Sequence, residues 1–361
     1  MSESPLPTVA IFGMGLLGGS IALGLRERGL ASTVHAFDLD PSALAEAQRM
    51  GAADVVHHAI GPWVAEIDVG ILAVPVGALE ALADTLQPWC DPASRWIDIG
   101  SVKGPIVDAL ETRLPHYVGT HPMAGLETAG MKHAYAGLVQ NAVWVVTPTE
   151  RTAEADLAHV EQWVTDLGAY PYRVEPHLHD RLVARVSHVP YLLAVGLNLQ
   201  ISEDPAKNAL MFLAAGGFRD LTRVASGGPE MSRDMVRNNR VAVREALADL
   251  QAVLGRLAEQ LDDGEALLQS GMIAKDIRDA LPVVRRTLLP RVFDLMVAIE
   301  DRPLELARLT TTLGTAGVNI RDIEVLKIRG TGGEAIRVGL GSSEDQAEAR
   351  TVLEAAGYRL R

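Results

Sequence analysis

An α/β protein in three parts is predicted by three changes of hydrophobic period along the 361 residues. In the first part short β-branched runs alternate with helical patterns, as in a mostly parallel sheet. Strands are expected at Thr8–Phe12, Val34–Phe37, Val69–Val74, Trp96–Asp98, Tyr117–Thr120 and Val143–Val146. The helix after the second strand has a clear start and stop: Asp40 suits the N-cap, Pro41 the first helical position, and Gly51 follows Met50. From about His177 to Leu281 apolar residues such as Val241, Leu247, Leu250, Leu254 and Leu257 recur at helical spacing, with no strand pattern.

Arg285 to Arg291, with Pro282 and Pro290 around it, reads as a linker. Beyond it Phe293, Leu295, Val297 and Ile299 alternate as in a strand. A helix over Leu304–Ala316 and strands at Val318–Ile328 and Glu334–Leu340 follow, the strands joined by the Gly330-Thr331-Gly332-Gly333 turn. Ser343 with Gln346 reads as a capping box for a last helix. This βαββαβ order describes a ferredoxin-like module. The expected domains are therefore 1–174, an α/β domain; 175–284, an all-α domain; and 291–361, the small module.

Composition narrows the function classes. A net charge of −13 argues against nucleic acid as a main partner. No unbroken apolar run approaches the roughly 18 residues of a membrane span, and Met1 to Pro7 hold neither a basic nor an apolar signal region, so a cytoplasmic protein is expected. The single Cys90, in a turn-like Pro-Trp-Cys-Asp-Pro stretch, reads as structural and cannot support a thiolate metal site. No metal is expected. The long helical segment suits a homodimer interface, with burial inside one subunit as the alternative.

Gly13-Met14-Gly15-Leu16-Leu17-Gly18 lies directly after an apolar strand and opens a helical stretch. In that setting the pattern is a dinucleotide fingerprint of the Rossmann type. Gly13 allows the tight turn, Gly15 lets backbone approach a pyrophosphate, and Gly18 lets helix and strand pack closely. Asp38, at the end of the second strand, is placed for ribose hydroxyls. It would repel a 2′-phosphate, which favours NAD over NADP. Gly13, Gly15, Leu16, Leu17, Gly18, Asp38, Val74, Pro75 and Ser101 are the candidate cofactor contacts.

Three further motifs stand beside the fingerprint: Gly-Ser-Val-Lys at Gly100 to Lys103, His-Pro-Met-Ala-Gly at His121 to Gly125, and Gly-Gly-Phe-Arg-Asp-Leu-Thr-Arg at Gly216 to Arg223. With these motifs the chain resembles the prephenate dehydrogenase family over nearly all of its first two domains. The third domain resembles the ACT regulatory modules that some members carry. The resemblance implies oxidative decarboxylation of prephenate to 4-hydroxyphenylpyruvate with NAD as hydride acceptor. It makes His121 the general base, a role suited to an imidazole of ordinary pKa near 6.5, and Ser101 a hydrogen-bonding partner of the same hydroxyl, the alternative for Ser101 being a helix cap. It makes Arg223 the ligand of the ring carboxylate.

The resemblance also implies a gate over the site formed by Glu127, Asp180 and Arg223. Arg219 either adds positive field or pairs with Asp220 or Asp180. Lys103 reads equally as a phosphate or substrate ligand and as a solvated loop lysine. In Ser187-His188-Val189-Pro190, Ser187 is the expected contact and His188 a core residue.

This chain departs from the family at Tyr191, where a second His is common, at Leu126, where Thr is, and at Ser232, where Trp is. The departures at Tyr191 and Ser232, positions that hold the substrate's side chain in some members, keep arogenate open as an alternative or second substrate. In the third domain Asp301-Arg302-Pro303-Leu304 replaces the usual Asp-Arg-Pro-Gly, while Asn319 and Ile320 match the effector-facing positions. Tyrosine is the expected effector, bound around Asp301, Pro303, Leu304, Asn319 and Ile320. The alternative is a purely assembling domain whose groove Leu304 partly fills. Two other readings compete: a β-hydroxyacid dehydrogenase, for which only Lys207 is available as the catalytic lysine, and a non-catalytic NAD and amino-acid sensor, which has no need of His121, Ser101 and Arg223 together.

Overall fold

The computed structural model describes residues 6–125, 128–281, 293–300, 302–327 and 333–360. It divides into two compact units, Met1–Lys275 and Asp276–Arg361.

The first unit is built on an eight-stranded sheet: β1 (Thr8–Phe12), β2 (Thr33–Phe37), β3 (Val55–His57), β4 (Val69–Leu72), β5 (Arg95–Asp98), β6 (Tyr117–Pro122), β7 (Val143–Thr147) and β8 (Tyr170–Arg173). Their order is β3-β2-β1-β4-β5-β6-β7-β8. All neighbours are parallel except β6 and β7. Alternation along β1 shows why both faces are covered. Val9 and Ile11 enter one core with α1 (Leu16–Glu27), α2 (Pro41–Arg49) and α5 (Glu154–Asp166). Ala10 and Phe12 enter the other with α3 (Leu79–Leu86) and α4 (Gly104–Leu110). A strand buried on both sides reads as a continuous apolar run, as β1 does.

The expected strands are present with shifted ends, and β3 and β8 are additions. β4 stops at Leu72, short of the expected Val74, because Ala73 turns away after its amide donates to the Phe12 carbonyl. β6 runs on through His121 and Pro122, held by antiparallel pairing with β7 that local pattern does not reveal. Asp40 caps α2 as expected, its carboxylate accepting the Ser42 amide at 2.8 Å. Gly51 takes the left-handed φ of +71° after it.

No strand occurs among the described residues from 176 to 281, in agreement with the expected all-α region. Its helices are α6 (Pro176–Val183), α7 (Val189–Glu203), α8 (Lys207–Leu213), α9 (Gly216–Thr222), α10 (Pro229–Asn238), α11 (Arg240–Glu259) and α12 (Gly264–Ala280). A π-helical turn, Ala184–His188, fuses α6 and α7 into one run, Pro176–Glu203, of mean hydropathy 1.3 in its most apolar stretch. By length and composition that run is sufficient to cross a membrane, contrary to the expectation from unbroken apolar stretches. Asp180, Arg181 and Arg185 interrupt the sequence pattern without ending the helix. Its first half is bonded to the sheet domain through Asp180. The local core here is small, formed by Ala184, Val189, Ala242, Val243 and Ala246.

In the second unit β9 (Phe293–Glu300), α13 (Glu305–Thr315), β10 (Ile320–Lys327), β11 (Gly333–Leu340), α14 (Ser343–Ala355) and β12 (Arg359–Leu360) follow the expected βαββαβ order. The antiparallel sheet runs β10-β11-β9-β12. Leu295, Val297, Leu309, Leu313, Ile336, Val338 and Leu353 form its core. The cap of α14 is Ser342, not Ser343: its hydroxyl accepts the Asp345 amide at 3.0 Å, the N3 position that a cap side chain reaches. The expected linker and most of the glycine-rich turn lie outside the described residues.

Gly18 is packed without room for a side chain, since an added Cβ would lie 2.0 Å from the Gly13 carbonyl oxygen. Gly18→Ala is expected to lower the denaturation midpoint by roughly 1–3 kcal/mol in stability, as overpacking does. Gly15→Ala, with nothing within 4 Å of its Cβ, should stay within about 1 kcal/mol of the native protein. Equal midpoints for the two variants would refute this packing account.

Candidate functional site

Strand order reverses between β1 and β4, which is where an open parallel sheet gathers ligands at its carboxyl edge. A cleft of about 790 Å³ opens there, lined by Gly13, Gly15, Asp38, Ala73, Val74 and Pro75 among others. Gly13 has φ +108°, and a Cβ on it would strike the Ala73 carbonyl at 2.5 Å. Leu16 and Leu17 form the half-buried first turn of α1, whose N-cap Gly15 supplies no side-chain bond to the helix amides. These glycines leave the open backbone cradle and uncapped helix start that a dinucleotide pyrophosphate fits. Asp38 lines the cleft and braces the loop, one carboxylate oxygen accepting the Met14 amide at 2.6 Å and the other the Asp40 amide at 2.8 Å.

Further along the same edge, the ends of β5 and β6 are tied together by a buried ion pair. Lys103 is fully buried and bonds Asp98; its Nζ also donates to the Thr120 carbonyl at 2.7 Å. Asp98 accepts the Tyr117 hydroxyl at 2.7 Å and the Gly100 amide at 2.8 Å. Burial pulls the Lys103 ammonium below its usual pKa, and Asp98 opposes that shift. Burial raises the Tyr117 phenol well above its usual value, with the Asp98 charge acting in the same direction. Lys103 is therefore neither a solvated loop residue nor an anion ligand. It fixes the backbone one residue before His121.

His121 Nδ1 lies 2.9 Å from His179 Nε2, and His179 Nδ1 lies 2.8 Å from Asp180 Oδ1. Asp180 also accepts the Lys103 amide at 2.7 Å and the Gly104 amide at 2.8 Å, which caps α4 from another domain. Both oxygens are thus occupied in a residue only 5% exposed. This corrects two expectations. Asp180 is engaged by His179 and the start of α4, not by Arg219, and Ser101 does not cap α4, whose N-cap position is Lys103. Burial depresses the His121 pKa well below 6.5, and the neighbouring His179, Lys103 and His188 add to that direction.

The remaining candidates lie around this cluster. Ser101 is half-buried between Gly100 and the buried Val102. Ser187, in the π turn, and Tyr191, in the first turn of α7, are half-buried four residues apart on one helical run. Arg219, in α9, and Arg223, which opens the following 3-10 turn, are exposed on elements that pack against α7. Ser232 is buried in α10. Glu127, Leu126 and Asp301 lie outside the described residues. His188 is a satisfied core residue, 1% exposed with Nδ1 3.1 Å from Asn239 Nδ2, as expected. Asn239 also donates to the Asp180 carbonyl at 2.8 Å. The sequence reading missed His179 and Asn239. They lie 58 and 118 residues from His121, and no local spacing joins them to it. Among the described residues no group of His, Cys, Asp and Glu is arranged to hold a metal.

Fold and cleft together define a dinucleotide-binding protein. The profile described as "Prephenate dehydrogenase, nucleotide-binding domain" matches residues 21–172, and "Prephenate dehydrogenase, dimerization domain" matches residues 175–269. Prephenate dehydrogenase of Bacillus subtilis is 28% identical over 355 residues, 96% of each chain. Cyclohexadienyl dehydrogenase of Zymomonas mobilis is 30% identical over 281 residues, 76% of this chain and 95% of that one. The crystal structure of prephenate dehydrogenase from A. aeolicus in complex with hydroxyphenyl propionate and NAD+ superposes with a TM-score of 0.74 at 30% identity, covering 77% of this chain and 99% of that one. The chain belongs to the prephenate dehydrogenase family, and its cofactor is NAD.

The site makes a prediction for stability. Burial pushes the His188 pKa down to about 4. The unfolded chain, with a His pKa near 6.5, binds a proton between those values that the native state refuses. Stability is therefore complete above about pH 6.5 and falls as pH drops toward 4, by on the order of 3 kcal/mol for this group. Urea denaturation at pH 7 and pH 5 should show about 2 kcal/mol of that loss, with His121 adding to it, and His188→Gln should shrink it. An unchanged slope in the variant would refute the assignment.

Proposed function

We propose that this enzyme oxidatively decarboxylates prephenate to 4-hydroxyphenylpyruvate, with His121 as general base. One observation carries the reading: a half-buried imidazole at the carboxyl edge of the sheet, along the same edge as the dinucleotide cleft, with Nδ1 engaged by His179 and Nε2 left for a ligand. NAD, when bound, accepts the hydride. Gly13, Gly15, Leu16, Leu17 and Gly18 would hold its pyrophosphate, Asp38 its ribose, and Val74, Pro75 and Ser101 its nicotinamide side.

His121 takes the ring hydroxyl proton as hydride leaves the same carbon. The ring carboxylate departs as CO2 and its bonding electrons complete the aromatic ring, after which the proton returns to the phenolic oxygen. Ser101 orients that hydroxyl. Arg223 binds the ring carboxylate, Arg219 adds positive field, and Ser187 and Tyr191 line the substrate, with Glu127 closing the site. Domain limits of 1–174, 175–284 and 291–361 accompany this reading.

Arogenate is the second reading, favoured by Tyr191 and Ser232 at positions where the family commonly carries His and Trp. Purified protein is expected to reduce NAD with prephenate faster than with arogenate, while His121→Asn loses roughly 10²–10⁴-fold in kcat and keeps NAD affinity. Because burial depresses the His121 pKa, the base stays unprotonated through pH 6.5, and the acid limb of kcat/KM should lie below that value. Full activity of the Asn variant would remove His121 from the chemistry. Arg223→Ala should raise KM for prephenate or lower kcat/KM by about 2–5 kcal/mol in binding, with NAD affinity unchanged. A variant with native kcat/KM would exclude that role.

The second unit is read as an ACT module of ferredoxin-like topology that binds tyrosine, supported by its strand order and by Leu304. Leu304 holds φ +73°, a left-handed conformation that glycine adopts without strain, and its side chain is 80% exposed. In sequence Asp301 and Pro303 precede α13, while Asn319 and Ile320 follow it at the start of β10. A cytoplasmic homodimer is proposed from the dimerization-domain match and from apolar residues left in water, among them Phe212 at 90%, Leu213, Leu261 and Ile277.

A further inference from the structure

We infer that His179 is a positioning residue for the reaction: backed by Asp180, it fixes His121 in the tautomer that carries hydrogen on Nδ1 and a lone pair on Nε2. The inference rests on the reading of His121 as the base, and it is built from the direction of each hydrogen bond. A carboxylate oxygen accepts, so the 2.8 Å contact to Asp180 Oδ1 puts a hydrogen on His179 Nδ1. His179 then presents its Nε2 lone pair, and His121 Nδ1, 2.9 Å away, donates to it. The two rings meet at 75°, an edge contact through nitrogen. His121 is left with an unprotonated Nε2, the nitrogen able to take a proton from substrate.

Asp180 cannot swing out of this chain. The amides of Lys103 and Gly104 hold its two oxygens, and Asn239 holds its carbonyl. His179 is 2% exposed, which keeps its Nε2 out of bulk solvent. The opposite polarity, with both His179 nitrogens donating, would place a second cation close to the buried Lys103 and would leave His121 protonated at Nε2. Asp98 already pairs with Lys103, His188 is bonded to Asn239, and Asp180 is shared with two amides. The arrangement follows the logic by which a buried carboxylate selects the tautomer of a catalytic imidazole, with one more imidazole in between.

The test uses the full chain. In wild-type protein with NAD, the ¹⁵N-edited histidine spectrum is expected to show His121, identified by its loss in His121→Asn, as the Nδ1–H tautomer. His179→Leu is expected to lower kcat with prephenate by ~10–100-fold, while KM and NAD affinity stay within about two-fold. His179→Gln, whose amide can donate to Asp180 and accept from His121, should recover most of that loss. An Nε2–H tautomer in wild type, or native kcat in His179→Leu, would overturn the inference. If wild-type protein turns over neither prephenate nor arogenate, the functional reading fails, while the spectrum still decides the tautomer.

Discussion

The Asp180 carboxylate is the constraint on which the site depends. It belongs to the helical region, yet its oxygens close the start of α4 in the sheet domain and receive a hydrogen bond from the neighbouring His179. A helix start leaves amides without partners, and a buried start must find them elsewhere. Here the partner comes from 76 to 77 residues away. Relative placement of the two regions is therefore set by hydrogen-bond satisfaction as much as by apolar packing, and His179 is carried to His121 as a consequence.

Lys103 and Asp98 do comparable work from the sheet side. Desolvating a lysine is costly, and the Asp98 carboxylate, the Thr120 carbonyl and the nearby Asp180 charge offset that cost. Replacing such a pair with apolar residues is often neutral for stability, whereas removing one partner typically costs about 3–5 kcal/mol. What the pair contributes is register. It locks the end of β6 against β5 and leaves His121 at the edge where the dinucleotide cleft opens.

Apolar surface is distributed unevenly. The sheet domain buries Phe12, Trp96 and Trp144 completely, while the helical region has a small core of its own and leaves long stretches of α8 to α12 exposed. A second copy covering that surface, as proposed, would resolve the imbalance. The second unit shows a different compromise. Leu304 occupies a left-handed backbone conformation that costs a residue with a side chain roughly 1–2 kcal/mol.

By itself the sequence determined six of the eight strands of the large sheet, the Rossmann-like start, the helical middle and the βαββαβ end, because each rests on periods of two or 3.6 residues readable within a dozen positions. It also determined NAD as cofactor, since Gly13, Gly15, Gly18 and Asp38 lie within one βαβ unit. It could not show that Lys103 is buried, that Asp180 caps a helix of the sheet domain, or that a π turn makes one helix of α6 and α7. Nor could it bring His179 to His121. Those features depend on contacts between residues 5 to 77 positions apart, several made to backbone amides and carbonyls that every residue carries and no motif records. Only the packed structure decides which of them meet.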